Sequence, residues 1–135
     1  MTESDAVREF LDARGCPDDV VAGGLEGLIA EWERTVGQVE QGYPLGLDDY
    51  LNDLDGRQLI EDTLEAVPEA GTAALTERAR RADERMRASV RTVPECLWGA
   101  RVAEVEGWSA AENWWYYAVP AAPGPQLVQD FEPTD

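Results

Sequence analysis

The densest run of side chains able to do chemistry is Asp48-Asp49-Tyr50-Leu51-Asn52-Asp53-Leu54-Asp55-Gly56. It approaches the calcium-loop pattern D-x-[DN]-x-[DN]-G-x5-E. With Gly56 in the sixth position, Asp53 and Asp55 take the third and fifth and Asp62 the twelfth, but the first is Leu51. Leucine offers no oxygen ligand where the loop needs its first carboxylate, so the pattern fails. On a helix the same acids combine differently. Asp49 and Asp53 are four apart, as are Glu61 and Glu65. Carboxylates facing one another across helices can hold Mg2+, and a metal so placed could hydrolyse nucleotides or phosphoesters, as in helical nucleotide pyrophosphatases. The tight E-x-x-E pairs of such sites occur nowhere in the chain, and Arg57 is the only cation on that stretch to meet a phosphate. The leading reading of these acids is therefore a solvated face plus helix caps, with Mg2+ as the alternative cofactor.

Nucleophilic chemistry has little support. The chain contains no His and no Lys, and all its bases are Arg. Imidazole general bases, Schiff-base lysines and P-loop lysines are excluded outright. Cys16 sits at a helix start, but Asp18 and Asp19 beside it disfavour a thiolate. Cys96 reads as a core residue, and Ser4, Ser89 and Ser109 as caps or surface groups. Two cysteines 80 positions apart make neither a disulfide framework nor a zinc pattern.

The strongest aromatic signal is Trp98, Trp108, Trp114, Trp115, Tyr116 and Tyr117, all within 20 residues. One reading folds this segment back to close a helical core otherwise rich in Ala and Val. The other leaves Trp108, Trp114, Trp115, Tyr116 and Tyr117 as a partner-binding hot spot, with at least one of the adjacent Trp114 and Trp115 pointing outward.

Charge narrows the partners. The formal net charge is −17, from 28 acids against 11 bases. Nucleic-acid phosphates and anionic membrane surfaces are repelled, which leaves basic proteins or cations. Residues 70–101 alone carry more Arg than acid, between acidic flanks. That stretch is expected to serve as an internal counter-charge beside the second or third helix.

These groups must be positioned by helices. At 135 residues and 44% hydrophobic the chain can bury one core. Ser4 begins a first helix to about Arg14. Pro17 opens a second, whose stripe is Val20, Val21, Leu25, Leu28, Ile29, Trp32, Val36 and Val39. Gly23, Gly24 and Gly27 interrupt it; they suit the close approach of another backbone, or a local break at Gly23-Gly24. Asp48 or Asp49 caps a third helix to about Val67, and the five-residue step from Leu54 to Leu59 predicts a kink at Asp55-Gly56. Thr72 opens a fourth to about Arg91, with Leu75, Ala79, Ala82 and Met86 inward. Glu77–Arg81 and Asp83–Arg87 are its i,i+4 pairs. Ser109 to Glu112 fits a capping box for a short helix over 109–115, whereas Trp114 to Val119 has strand-like composition. Both remain open. The prolines beyond Val119 predict an extended end.

The expected fold is all-α: about four antiparallel packed helices with an aromatic-rich C-terminal segment and room for a short strand pair. Residues 1–128 form the expected helical domain and 129–135 a mobile tail. No positively charged leader and no run of 18 apolar residues occurs, so a cytoplasmic location is expected. Arg in place of every Lys fits a GC-rich bacterial genome. The expected function is that of a non-enzymatic interaction protein, immunity- or antitoxin-like, binding a basic protein. The alternatives are the Mg2+-dependent hydrolase above and a homodimer joined through the aromatic segment.

Overall fold

The computed structural model describes residues 2–131. Six α-helices, two short 3-10 turns and one short antiparallel strand pair make up the regular structure of these residues. Four helices are long enough to matter for packing: α1 (Glu3–Ala13), α2 (Asp18–Gln41), α3 (Leu47–Ala66) and α4 (Ala73–Ala88). Their buried faces, together with the aromatic segment, form one hydrophobic cluster running from Val7 to Leu127.

Each helix begins and ends for a local reason. The cap of α1 is Thr2, not Ser4: its hydroxyl accepts from the Asp5 amide while the Asp5 carboxylate accepts from the Thr2 amide. Gly15, at φ 78°, turns the chain toward Pro17, which stands at the head of α2. Inside α2 the backbone breaks at Gly24 (φ 61°, ψ −158°), a conformation open in practice only to glycine. Of the two roles foreseen for these glycines, Gly24 takes the break. The cap of α3 is Gly46, and Asp48 and Asp49 lie in the first turn, where their charge meets the positive helix end. Thr72 caps α4 through a bond from the Leu75 amide.

The expected kink at Asp55-Gly56 does not occur; α3 runs unbroken from Leu47 to Ala66. Its buried positions are Tyr50, Leu51, Leu54, Arg57, Ile60 and Thr63. The stripe is continuous because a buried arginine occupies the place where apolar counting found a gap.

The Arg57 guanidinium is held on every side. Nε and Nη2 donate to the Asp83 carboxylate at 3.0 and 2.9 Å, and Nη1 donates to Glu61 at 3.3 Å. The charge lies 4.3 Å from the centroid of the Trp115 ring. Asp83 also accepts from Trp32 Nε1 at 2.9 Å. Burial opposes the charge on Arg57, but the bonds and charges of Asp83 and Glu61 outweigh it and hold its pKa above the ordinary value. α2, α3, α4 and the aromatic segment thus meet at one ion pair. The expected Asp83–Arg87 pair is absent for this reason: Asp83 turns inward, and Arg87 lies over the Trp114 ring at 4.2 Å.

The basic stretch lies along α2 as an internal counter-charge. Arg78 pairs with Glu33 at 2.6 Å and reaches Glu26 at 3.5 Å, and Arg85 pairs with Glu40. Both partners advance by seven residues, so α2 and α4 pack against each other running in the same direction. Glu33 and Glu40 are held below the usual carboxylate range by the hydrogen bonds from Arg78 and Arg85.

Beyond α4 the chain departs further from expectation. The helix stops at Ala88, and β1 (Val90–Thr92) pairs antiparallel with β2 (Ala118–Pro120). A short helix α5 (Ala100–Glu106) lies between them. Ser109 does accept from the Glu112 amide, but only a turn follows; Trp114–Tyr117 forms a 3-10 turn that runs into β2. The end is not wholly extended: Pro125 opens α6 (Pro125–Phe131), which buries Leu127. Of the expected tail, residues 129–131 belong to this helix and 132–135 lie outside the described residues.

Candidate functional site

A groove of about 520 Å³ opens between α2 and α3. It exists because side chains are missing. Gly23 and Gly27 stand one turn apart on α2, and Gly56 faces them from α3. A Cβ added to any of the three would meet nothing within 4 Å, so no neighbouring part of the fold requires glycine there. The bulkier lining residues are Val20, Leu28, Trp32 and Leu59. Four carboxylates complete the lining: Asp19 and Glu31 from α2, Asp53 and Asp55 from α3, with no basic residue among them.

Two of these acids are fixed. Tyr43 donates its hydroxyl proton to Asp53 at 2.6 Å. Burial nevertheless raises the Asp53 pKa; the Tyr43 bond opposes the rise and the charges of Asp49 and Glu31 add to it. Asp55 Oδ1 accepts from Trp98 Nε1 at 3.0 Å and from the Tyr116 hydroxyl at 2.7 Å. The aromatic segment therefore holds one wall of the groove in place.

Asp55 and Leu59 also line a second basin of about 550 Å³ on the far side of α3. There Asp62, Glu65, Glu106 and Glu112 accompany a single base, Arg14, which is paired with Asp62 at 3.1 Å. Two adjacent concavities along α3 thus carry a marked excess of carboxylate.

The aromatic residues singled out in the sequence divide. Trp115, Tyr116 and Tyr117 are buried, two of them with only 1% of their surface exposed. Trp108 is half-buried and stacked on Tyr116 at 3.9 Å between ring centroids. Trp114 is half-buried beneath Arg87. The most exposed tryptophan is Trp98, at 38%. Most of the cluster closes the core, and of its outer members Trp108 lines the second basin. Trp115 Nε1 is the one buried side-chain polar atom without a hydrogen-bond partner among the described residues.

The acids considered for Mg2+ also separate. Asp49 is exposed, Asp53 lies in the groove, Glu61 pairs with Arg57, and Glu65 lies on the rim of the second basin. Among the described residues no three His, Cys, Asp or Glu side chains converge as metal ligands would. No described helix is long and apolar enough to cross a membrane.

Sequence reasoning missed Asp19, Glu31 and Asp55 as members of one site, and with them the meaning of Gly27 and Gly56. The available signal was the four-residue spacing of Asp19, Gly23, Gly27 and Glu31, two acids and two bare positions that line one groove from either side of the break at Gly24. The chain matches no known protein family, no curated protein and no solved structure.

Proposed function

We propose that the protein is a non-enzymatic interaction module that binds a basic protein, in the manner of small immunity or antitoxin proteins. The observation that carries this reading is the α2–α3 groove, whose wall bears four carboxylates and no base. An apolar floor removes water from a contact, and the acids select a cationic surface and speed its approach. The internal pairing of Arg78 and Arg85 with α2 supports the same reading, because it neutralises the far face of that helix and leaves the groove negative. Lack of His and Lys removes the commonest acid-base and nucleophilic machinery from the chain.

Affinity capture from the source cells, with washes of rising salt, tests the proposal. A basic protein retained at low salt and released as salt screens the contact is the expected result. Retention should fall when Asp19, Glu31 and Asp53 are replaced together by Asn, Gln and Asn. A chain that retains nothing, or retains only proteins indifferent to salt and to these substitutions, would refute it.

A further inference from the structure

Glycine is the poorest helix former after proline, and its use in a helix interior normally reflects a strained dihedral or a close neighbour. Gly23, Gly27 and Gly56 show neither: none has positive φ, and each faces open space. They leave a furrow that runs along α2 from Asp19, across the break at Gly24, to Thr35; its unbroken helical part, Leu25 to Thr35, is about 15 Å long at the helical rise. Away from the break at Gly24, both walls are helices whose main-chain groups bond within the helix. A strand laid in the furrow would therefore leave its own amides and carbonyls unpaired beside apolar side chains, whereas a helix satisfies them internally.

We infer that the furrow seats an amphipathic helix of the basic partner. Its apolar stripe lies on Val20 and Leu59, close to the bare glycines, with Leu28 and Trp32 buried beneath. Its Lys or Arg side chains reach Asp19, Glu31, Asp53 and Asp55 along the edges. This deepens the reading of a basic protein partner and rests on it. The argument for the occupant is charge complementarity together with the length and bare walls of the furrow.

The test uses the full chain and a fluorescein-labelled, acetylated peptide of about 18 residues, with leucines at i, i+3, i+4 and i+7 and lysines elsewhere. An isomer with the same residues shuffled around the helix is the comparator. By fluorescence anisotropy the amphipathic peptide binds at least about tenfold more tightly than its isomer. Gly27→Leu and Gly56→Leu each weaken it by about tenfold or more. Gly37→Leu, on the same helix but outside the furrow, leaves the affinity within about twofold, since a Cβ there also meets open space. The amide resonances of Gly23, Gly27 and Gly56 shift on binding while that of Gly107 does not. Should a leucine variant fail to fold, the paired change Glu31→Gln with Asp53→Asn takes its place and weakens binding by about threefold or more.

Equal affinity for the two peptides, or undiminished binding by the folded furrow variants, overturns the helix seat. In that event, salt-sensitive capture of a basic protein would leave the broader partner reading standing. Conversely, a seated peptide with no basic protein ever captured would sustain the helix seat and remove the partner reading.

Discussion

Arg57 grips Asp83 of the neighbouring helix through two hydrogen bonds, Nε to Oδ1 at 3.0 Å and Nη2 to Oδ2 at 2.9 Å. The pair is the only ionic contact that ties α3 to α4, among the described residues. Removing one member of a buried pair leaves the other charge uncompensated. Arg57→Ala is therefore expected to lower stability by about 3 kcal/mol or more. Arg57→Leu combined with Asp83→Asn is expected to cost less than the sum of the single changes, with a coupling of about 1–3 kcal/mol. Asn at 83 can still accept from Trp32. A double-mutant cycle by urea denaturation checks both.

Glycines of α2 and α3 are expected to respond in opposite directions. At Gly24 the backbone adopts a conformation closed to other residues, and Gly24→Ala is expected to cost about 1–3 kcal/mol. At Gly27 and Gly56 an added methyl meets open space, so alanine is expected to stabilise the helix by up to about 1 kcal/mol each. Thermal melts of the three single variants decide the matter. A stabilised Gly24→Ala would mean that the break in α2 is not imposed by the backbone.

Gly124 tests how firmly α6 is anchored. Its amide donates to the Tyr43 carbonyl at 2.9 Å, and a Cβ at this position would fall on that same oxygen. Gly124→Ala is expected to break the bridge between Tyr43 and Pro123 and to release α6. Faster hydrogen exchange across residues 125–131, with α2 to α4 unchanged, is the expected signature.

The Asp53 carboxyl makes stability depend on pH with an unusual sign. Its folded pKa is raised, first by burial, so the folded protein holds this proton more tightly than the unfolded chain. The ionised group is destabilising above its folded pKa, and the penalty disappears as pH falls below the unfolded value near 3.9. Asp53→Asn is expected to raise the melting temperature at pH 7 and to lose that advantage below about pH 4. Glu33 and Glu40 work the other way. Their folded pKa values are lowered by Arg78 and Arg85, so their contribution is present above the unfolded value near 4.3 and is lost on acidification. Melting curves of the parent and the Asn variant from pH 3 to pH 7 separate the two effects.

Much of the helical framework was legible because it rests on local rules. Thr72 stands where capping chemistry puts it, Pro17 falls just ahead of the first turn of α2, and the apolar stripe of α2 from Leu25 to Val39 is the stripe that is buried. The errors share a physical origin. Counting apolar residues alone turned Arg57 into a gap and the gap into a kink, because a buried charge is visible only when its partner, 26 positions away, is known. Helix α5 buries only Ala103 and leaves Val105 largely exposed, so it carries no amphipathic period to detect. Pro125 falls in the stretch expected to be extended, yet proline also suits the first helical position. The acidic pairs on α3 were visible, but pairing within a helix could not reveal that Asp53 and Asp55 line one groove with Asp19 and Glu31 of another.

The hydroxyl of Tyr50 donates to the carbonyl of Ala118 at 2.6 Å, across 68 positions of chain. Helical bundles usually fold quickly because their contacts are local; this one is sealed by a link whose formation requires closing a long loop. Refolding should therefore be paced by the late arrival of the aromatic segment. After a jump out of denaturant, far-ultraviolet circular dichroism would then recover ahead of the tryptophan emission, four of whose five sources lie between Trp98 and Trp115, and a shift in the balance between those two signals would time the closure.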